Sequence, residues 1–145
     1  MIDLTPVPPV EGEELLTRFI VNGNEVRADG TVRPQLFLPY KRVELSVNRH
    51  RDATLEETWS IGQQVAAQRG KTLIGRADIR ASSCCIQTLS VVASPIPRSN
   101  ANHVDIVGYP ARKDEQLSLA AKLAASIETP WQAITSESNS AEDKP

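Results

Sequence analysis

The chain contains two histidines, and each has an aspartate two residues later. The pairs are His50 with Asp52 and His103 with Asp105. Side chains at positions i and i+2 of a β-strand point to the same face, so such an aspartate can orient the ring for acid/base work. Asp52 also fits the N-terminal cap of a following helix. We therefore take His103 and Asp105 as the candidate catalytic pair. A metal site would need further histidine or cysteine ligands at close range, so none is predicted.

Arginines surround the first histidine. Arg49 and Arg51 flank His50, and Arg42 lies earlier in the same predicted strand. A guanidinium group suits the recognition of phosphate or carboxylate. The cluster predicts an anion pocket with Arg49, His50 and Arg51 as ligand-binding residues, to which Arg76 and Arg80 could add. The alternative is a solvated strand face, on which the arginines pair with Glu44 and Asp78.

Arg18 is the one charge in the apolar segment 15–21. A charge there must be paired or must point to solvent. One hypothesis places Arg18 in the anion pocket, and the other places it on the solvent-exposed face of a strand. With Ser46, Arg18 supplies two parts of the Arg–Ser–Glu arrangement found in some NAD-using ADP-ribosyl transferases. No glutamate occurs between Glu57 and Glu115 to supply the third part.

The polar loop ahead of His103 contributes two further candidate ligand-binding residues, Asn100 and Asn102. Loops of this kind position ligands, and they also cap strand ends. An enzyme built from these residues requires Arg18, Arg49 and His103 to converge in a single cleft.

These candidates must be positioned by strands and helices that the sequence also indicates. Alternation or short β-rich runs predict strands over 15–21, 25–28, 42–48, 73–81, 89–93 and 103–107. Helical spacing predicts helices over Thr54–Arg69, with a Thr54–Glu57 capping box, and over Lys113–Ile127, with a short helical turn near 83–88. The element order predicts an α+β fold, a mostly antiparallel sheet covered by two helices.

The domain boundaries follow from prolines and charge. Residues 1–13, rich in proline, are expected to form a flexible arm, residues 14–130 a single domain, and residues 131–145 a disordered acidic tail. The segment 1–16 carries four acidic residues and no basic one, whereas 41–80 carries eight basic residues against five acidic ones. A mildly basic middle between acidic ends suits an anionic ligand or an acidic partner.

Composition narrows the class of protein. A chain of 145 residues with a net charge of −2 fits one domain, and 4% aromatic residues give little for base stacking. Nucleic-acid binding is therefore not expected. No apolar stretch approaches the roughly 20 residues of a membrane span, and no secretory signal is recognised. The adjacent Cys84 and Cys85 cannot staple distant segments, which favours a reducing cytoplasm.

Five short segments resemble those of a family of small bacterial proteins without an assigned activity. The segments are Arg18, Asp29-Gly30, Phe37–Pro39, the Leu-Ser-Val-x-Arg strand at 45–49, and the Asn-x-x-His-x-x-Ile-x-Gly-x-Pro segment at 100–110. The similarity covers about residues 18–125. It implies a bacterial-type domain in which Arg49 and His103 lie in shared segments, and it suggests a context of phage defence or mobile elements.

Two functions are favoured by the sequence, and nucleic-acid binding through the basic middle is a third and least favoured one. The first is a small cytoplasmic module that binds a partner protein or an anionic ligand, without a cofactor. The second is a small nucleotide- or NAD-directed enzyme, in which arginines hold the anion and His103 with Asp105 acts as the acid/base pair.

Overall fold

A computed structural model describes residues 7–39 and 44–134. The strands are β1 (Leu15–Ile20), β2 (Leu45–Arg49), β3 (Gly75–Arg80), β4 (Ser90–Ala93), β5 (His103–Val107) and β6 (Glu128–Ala133). The helices are α1 (Leu55–Gln68), α2 (Ala81–Ile86) and α3 (Lys113–Ala124), with 3-10 turns at Gly23–Glu25 and Pro34–Phe37. The predicted strand 25–28 is instead the end of a turn followed by a single bridge from Val26 to Val32.

The six strands form one sheet in the order β4-β5-β2-β1-β3-β6, and every neighbouring pair is antiparallel. This confirms the predicted α+β class and antiparallel sheet. Pleating places Leu16, Ile20, Leu45 and Val47 on one face, where they join the main core with residues of α2 and α3. The other face carries α1, which packs through Trp59 and Ala66 on Phe19.

Helix α1 follows directly from local sequence. The Thr54 hydroxyl accepts a hydrogen bond from the Glu57 amide, and the Glu57 carboxylate accepts one from the Thr54 amide. The helix reaches Gln68, and Gly70 takes a positive φ of 65° beyond its end. Gly62 faces the sheet, where an added methyl group would overlap the Phe19 ring. The helix therefore lies close above β1.

Strand β6 corrects the predicted domain boundary at residue 130. The sequence 128–133 contains Pro130 and polar residues, which argue against a strand, but an edge strand tolerates proline. Its register against β3 shifts between Arg76 and Asp78. The Trp131 amide also donates to the Gly30 carbonyl oxygen at 3.0 Å. The ordered domain therefore reaches residue 134, and the rest of the predicted acidic tail, 135–145, lies outside the described residues.

The predicted flexible arm is only partly described. Residues 1–6 lie outside the described residues, whereas residues 7–13 are described and form no strand or helix. The Gly12 carbonyl oxygen accepts a hydrogen bond from the Ser82 amide at 2.9 Å. This segment is therefore docked on the domain. Within the described part of the chain, no helix combines the length and apolar character needed to cross a bilayer.

Candidate functional site

The predicted single pocket is divided between two cavities. The first, here called the α1 cleft, lies between α1, the loop 94–102 and the adjoining part of the sheet, and has a volume of about 550 Å³. Arg18, Asn100 and His103 line it. The second cavity, also about 550 Å³, lies where residues 8–15 meet the ends of β2 and β3. Arg49, His50 and Arg51 line that one. The single cleft that an enzyme would require is therefore not found: Arg18 and His103 line the α1 cleft, whereas Arg49 lines the second cavity.

Arg18 fills a gap between two strands. The β1–β2 ladder consists of the pairs Leu16–Arg49 and Thr17–Asn48 and goes no further. Arg18, the next residue, donates from Nη1 to the Ser46 carbonyl oxygen at 3.0 Å and from Nε to the Leu36 carbonyl oxygen at 3.1 Å. Its guanidinium is thus tied to backbone and does not lie on the wet face that strand alternation suggested. Burial, aided by the nearby Arg69, lowers the Arg18 pKa to about 10, so the group stays charged at neutral pH.

His103 and Asp105 share one face of β5, as their spacing predicts, but they are not hydrogen-bonded. His103 Nε2 lies 3.8 Å from Asp105 Oδ1. His103 Nδ1 lies 3.0 Å from the Ser94 carbonyl oxygen, which only accepts, so the proton belongs on Nδ1. The backbone, not Asp105, therefore orients this ring, and in the neutral form Nε2 keeps its lone pair.

The two asparagines of the loop make structural contacts. Asn100 is buried, and its amide pairs with that of Asn48 through two hydrogen bonds of 2.9 Å. Asn102 Nδ2 donates to the Arg51 carbonyl oxygen at 2.8 Å. Both residues hold the loop 94–102 against β2. This loop also approaches α1, where Gln64 Nε2 donates to Ser99 Oγ at 3.2 Å across the α1 cleft.

Arg49 is fully engaged by the N-terminal segment. It is 3% exposed and donates to both carboxylate oxygens of Glu14, at 2.9 and 2.6 Å. Further bonds reach the Pro8 carbonyl oxygen at 2.7 Å and that of Pro9 at 3.2 Å. The Arg49 hydrogen bond holds the pKa of Glu14 below its ordinary value. Arg49 therefore fastens residues 8–14 to the sheet instead of facing a ligand. Arg51 is exposed, and Arg42 lies outside the described residues.

A buried polar cluster lies beside the second cavity, and the sequence did not point to its centre. Thr17 Oγ1 donates to Asp78 Oδ1 at 2.6 Å and lies 2.6 Å from His50 Nε2. Arg76 Nη2 lies 3.4 Å from Asp78 Oδ2, and its guanidinium carbon lies 5.2 Å from the centre of the Trp59 ring. Nε and Nη1 of Arg76 have no hydrogen-bond partner among the described residues. We call these side chains the Thr17–Asp78 cluster.

His50 in this cluster predicts a pH dependence of stability. Burial lowers its pKa below 6.5; Arg76 lowers it further, whereas Asp78 and Glu14 oppose this. Around and just below pH 6.5 the unfolded chain therefore binds more protons than the folded chain. We expect the free energy of unfolding to rise with pH in this window, before levelling off above it. Urea unfolding at several pH values between 5 and 8 measures this.

The matched variant for that experiment is His50→Met, which has no titrating group at this position. Its unfolding free energy should be nearly flat over the window in which the original protein gains stability. An equal slope in both proteins would contradict the assignment of the effect to His50.

The cysteines differ in environment. Cys84 is buried in the main core, and burial raises its pKa to about 12, whereas Cys85 is exposed. Among the described residues, no three histidine, cysteine, aspartate or glutamate side chains are grouped to hold a metal ion.

No family model, curated protein or solved structure matches the chain. The resemblance to a bacterial family therefore stays a prediction, and the function must be argued from the two cavities.

Proposed function

We propose that the chain is a binding module for a small organic anion and that the α1 cleft is its site. The observation that supports this most is the charge of the lining. Three basic side chains, Arg18, Arg69 and Lys71, line the cleft together with a single acidic one, Glu44. A cavity of about 550 Å³ is in the size range of small-molecule sites.

Arg18 gives the cleft a fixed positive charge. Its two bonds to backbone carbonyls hold the guanidinium in place, and neither carbonyl carries a charge that would cancel its own. Because Arg18 is half-buried, solvent screens it less than the exposed Arg69 and Lys71. An anion is therefore attracted towards the Arg18 end of the cleft.

The remaining lining selects an anion with an apolar portion. Ile61, Val65 and Ile96 contribute aliphatic surface from α1 and the loop 94–102. Amide and hydroxyl groups of Asn48, Gln64 and Ser99 lie between the apolar and basic parts. This mixture suits a molecule with a carboxylate or phosphate head and an aliphatic or ring body.

Binding of a partner protein has weaker support. The exposed large apolar side chains of the described residues are Leu55, Ile86, Val92, Ile96 and Leu117. They lie one each on α1, α2, β4, the loop 94–102 and α3. No single element therefore offers an apolar stripe, and the anionic-ligand hypothesis is preferred.

Charge removal at the cleft tests the proposal. Arg69→Gln with Lys71→Gln removes two exposed charges while leaving the bonds of Arg18 intact. A panel of nucleotides, aliphatic carboxylates and aromatic carboxylates is screened by thermal shift, and hits are measured by calorimetry. We expect at least one hit, with its Kd raised tenfold or more by the double variant.

The matched control is Lys113→Gln with Lys122→Gln, which removes the same charge from exposed positions of α3. This control should bind the hit as the original protein does. Equal weakening by both double variants would indicate a general charge effect and would argue against the α1 cleft.

The orientation of His103 supports enzyme activity as a second candidate function. This ring lines the same cleft as Arg18, and in its neutral form Nε2 is a proton acceptor. His103→Gln separates the two functions. A binding module should lose only a few-fold in affinity, whereas an enzyme acting through His103 should retain ligand binding and lose conversion of the ligand.

A further inference from the structure

The second cavity is lined by a histidine and by arginines that do not all pair with carboxylates of its lining. His50, Arg51 and Arg80 line it. The salt bridges of these arginines are exposed and long: Arg51 lies 3.7 Å from Asp52, and Arg80 lies 4.0 Å from Glu128. Such contacts contribute little. Arg51 is therefore free to move towards a ligand, whereas Arg80 is held at the cavity by a 2.6 Å hydrogen bond from its Nη1 to the Glu13 carbonyl oxygen, which carries no net charge.

The acidic side chains that line this cavity do not cancel its charge. Glu14 is neutralised by the bidentate bond from Arg49. Glu11 is the other lining acid, so the lining residues carry one net positive charge; Asp52 and Glu128, the distant salt-bridge partners of Arg51 and Arg80, are not among them. The cavity therefore favours an anion before His50 is considered.

The Thr17–Asp78 cluster fixes the proton of His50. The single hydroxyl hydrogen of Thr17 is directed to Asp78, so the Thr17 oxygen must accept from His50 Nε2. Neutral His50 therefore carries its proton on Nε2, and Nδ1 has a lone pair. Nδ1 has no hydrogen-bond partner among the described residues, and the side chain is 28% exposed.

We propose that the second cavity binds a phosphate group that retains one ionisable P–OH, which donates its hydrogen to His50 Nδ1 while Arg51 and Arg80 offset the negative charge. A proton acceptor in a cavity that two cations also line selects an oxyanion that still carries a hydrogen. Phosphate monoesters have a second pKa near 6, so near pH 6.5 a minority of the molecules keep that hydrogen and binding draws on this form. Sulfate and carboxylates are fully ionised at this pH. Their oxygens have no hydrogen to donate and would place a lone pair against the lone pair of His50 Nδ1.

The surroundings of His50 support this role. Burial and Arg76 lower its pKa, so the acceptor persists near pH 6.5, and Asp78 and Glu14 are the acidic groups that oppose this effect. This phosphate site lies in the second cavity and not in the α1 cleft. The phosphate proposal and the proposed function are therefore tested independently.

The test is a calorimetric titration at pH 6.5 and constant ionic strength with inorganic phosphate, glycerol phosphate and sulfate. We expect phosphate to bind at least tenfold more tightly than sulfate. Binding of glycerol phosphate as well would identify a monoester as the ligand, whereas binding of inorganic phosphate alone would identify the free ion.

Two variants assign the roles. Arg51→Gln with Arg80→Gln should weaken phosphate at least tenfold, and the charge-matched Lys113→Gln with Lys122→Gln should leave it unchanged. His50→Met should abolish the preference for phosphate over sulfate. The proposal is overturned if neither anion binds, if sulfate binds as tightly as phosphate, or if His50→Met retains the preference.

Discussion

Replacing Arg49 with methionine is expected to lower the free energy of unfolding by about 3 kcal/mol, the lower end of the range for breaking a buried ion pair. The change leaves the Glu14 carboxylate without its bidentate partner and removes the donors to the Pro8 and Pro9 carbonyl oxygens. Glu14 is 23% exposed, so water recovers part of the loss. Urea unfolding of both proteins measures the difference.

The matched control is Arg112→Met, which removes an arginine that pairs with Asp114 at 2.8 Å on the surface. Both partners there are at least 67% exposed, so we expect a cost below about 1 kcal/mol. Hydrogen exchange adds a local readout, because the Ser82 amide donates to the Gly12 carbonyl oxygen of the fastened segment. Exchange at Ser82 should accelerate in Arg49→Met. Equal costs for both variants would show that Arg49 does not fasten this segment.

Arg49 also shows which part of the site could not be inferred from sequence. An arginine at the end of a β-rich run indicates a charge at the end of a strand, and Arg49 is indeed the last residue of β2. Its partner Glu14 lies 35 residues earlier, and only the β1–β2 register, which places Leu16 opposite Arg49, brings the two together. Local patterns do not contain that register, so the residue was assigned to a ligand instead of to the fold.

Elements determined by local chemistry were predictable. The Thr54–Glu57 capping box and the glycine at position 70 delimit α1, and the alternation of 103–107 gives β5. The same reasoning located β3 but not the burial of its polar side chains. The alternation of Arg76 and Asp78 with Ala77 and Ile79 indicates one solvent-exposed face, but α1 covers that face through Trp59, and residues 75–79 are all buried.

The centre of the Thr17–Asp78 cluster left no signal in the sequence. Threonine is a common strand residue, and Thr17 in an apolar run indicates only β-structure. Its importance comes from two contacts of 2.6 Å to residues 33 and 61 positions away. By contrast, Arg18 and His103, which the sequence singled out as a charge in an apolar segment and a histidine after a polar loop, both line the α1 cleft.

Replacing Asp78 with alanine is expected to lower the free energy of unfolding by about 3 to 5 kcal/mol. Asp78 is 5% exposed and Arg76 is 6% exposed, and Arg76 already has two nitrogens without partners. Removing the carboxylate therefore leaves a buried positive charge with only the Trp59 ring beside it. The Thr17 hydroxyl loses its acceptor in the same step.

The double variant Arg76→Met with Asp78→Ala distinguishes the cost of the unpaired Arg76 charge from the cost of the hydrogen bond that Thr17 loses. Because both charges are then absent, it should recover at least half of the cost of Asp78→Ala, as judged by urea unfolding. Glu128→Ala, on the adjacent strand β6 and 52% exposed, is the control and should cost less than about 1 kcal/mol. A double variant as unstable as the sum of its single variants would show that Arg76 is stabilised by the Trp59 ring alone, and that Asp78 acts through Thr17 and His50.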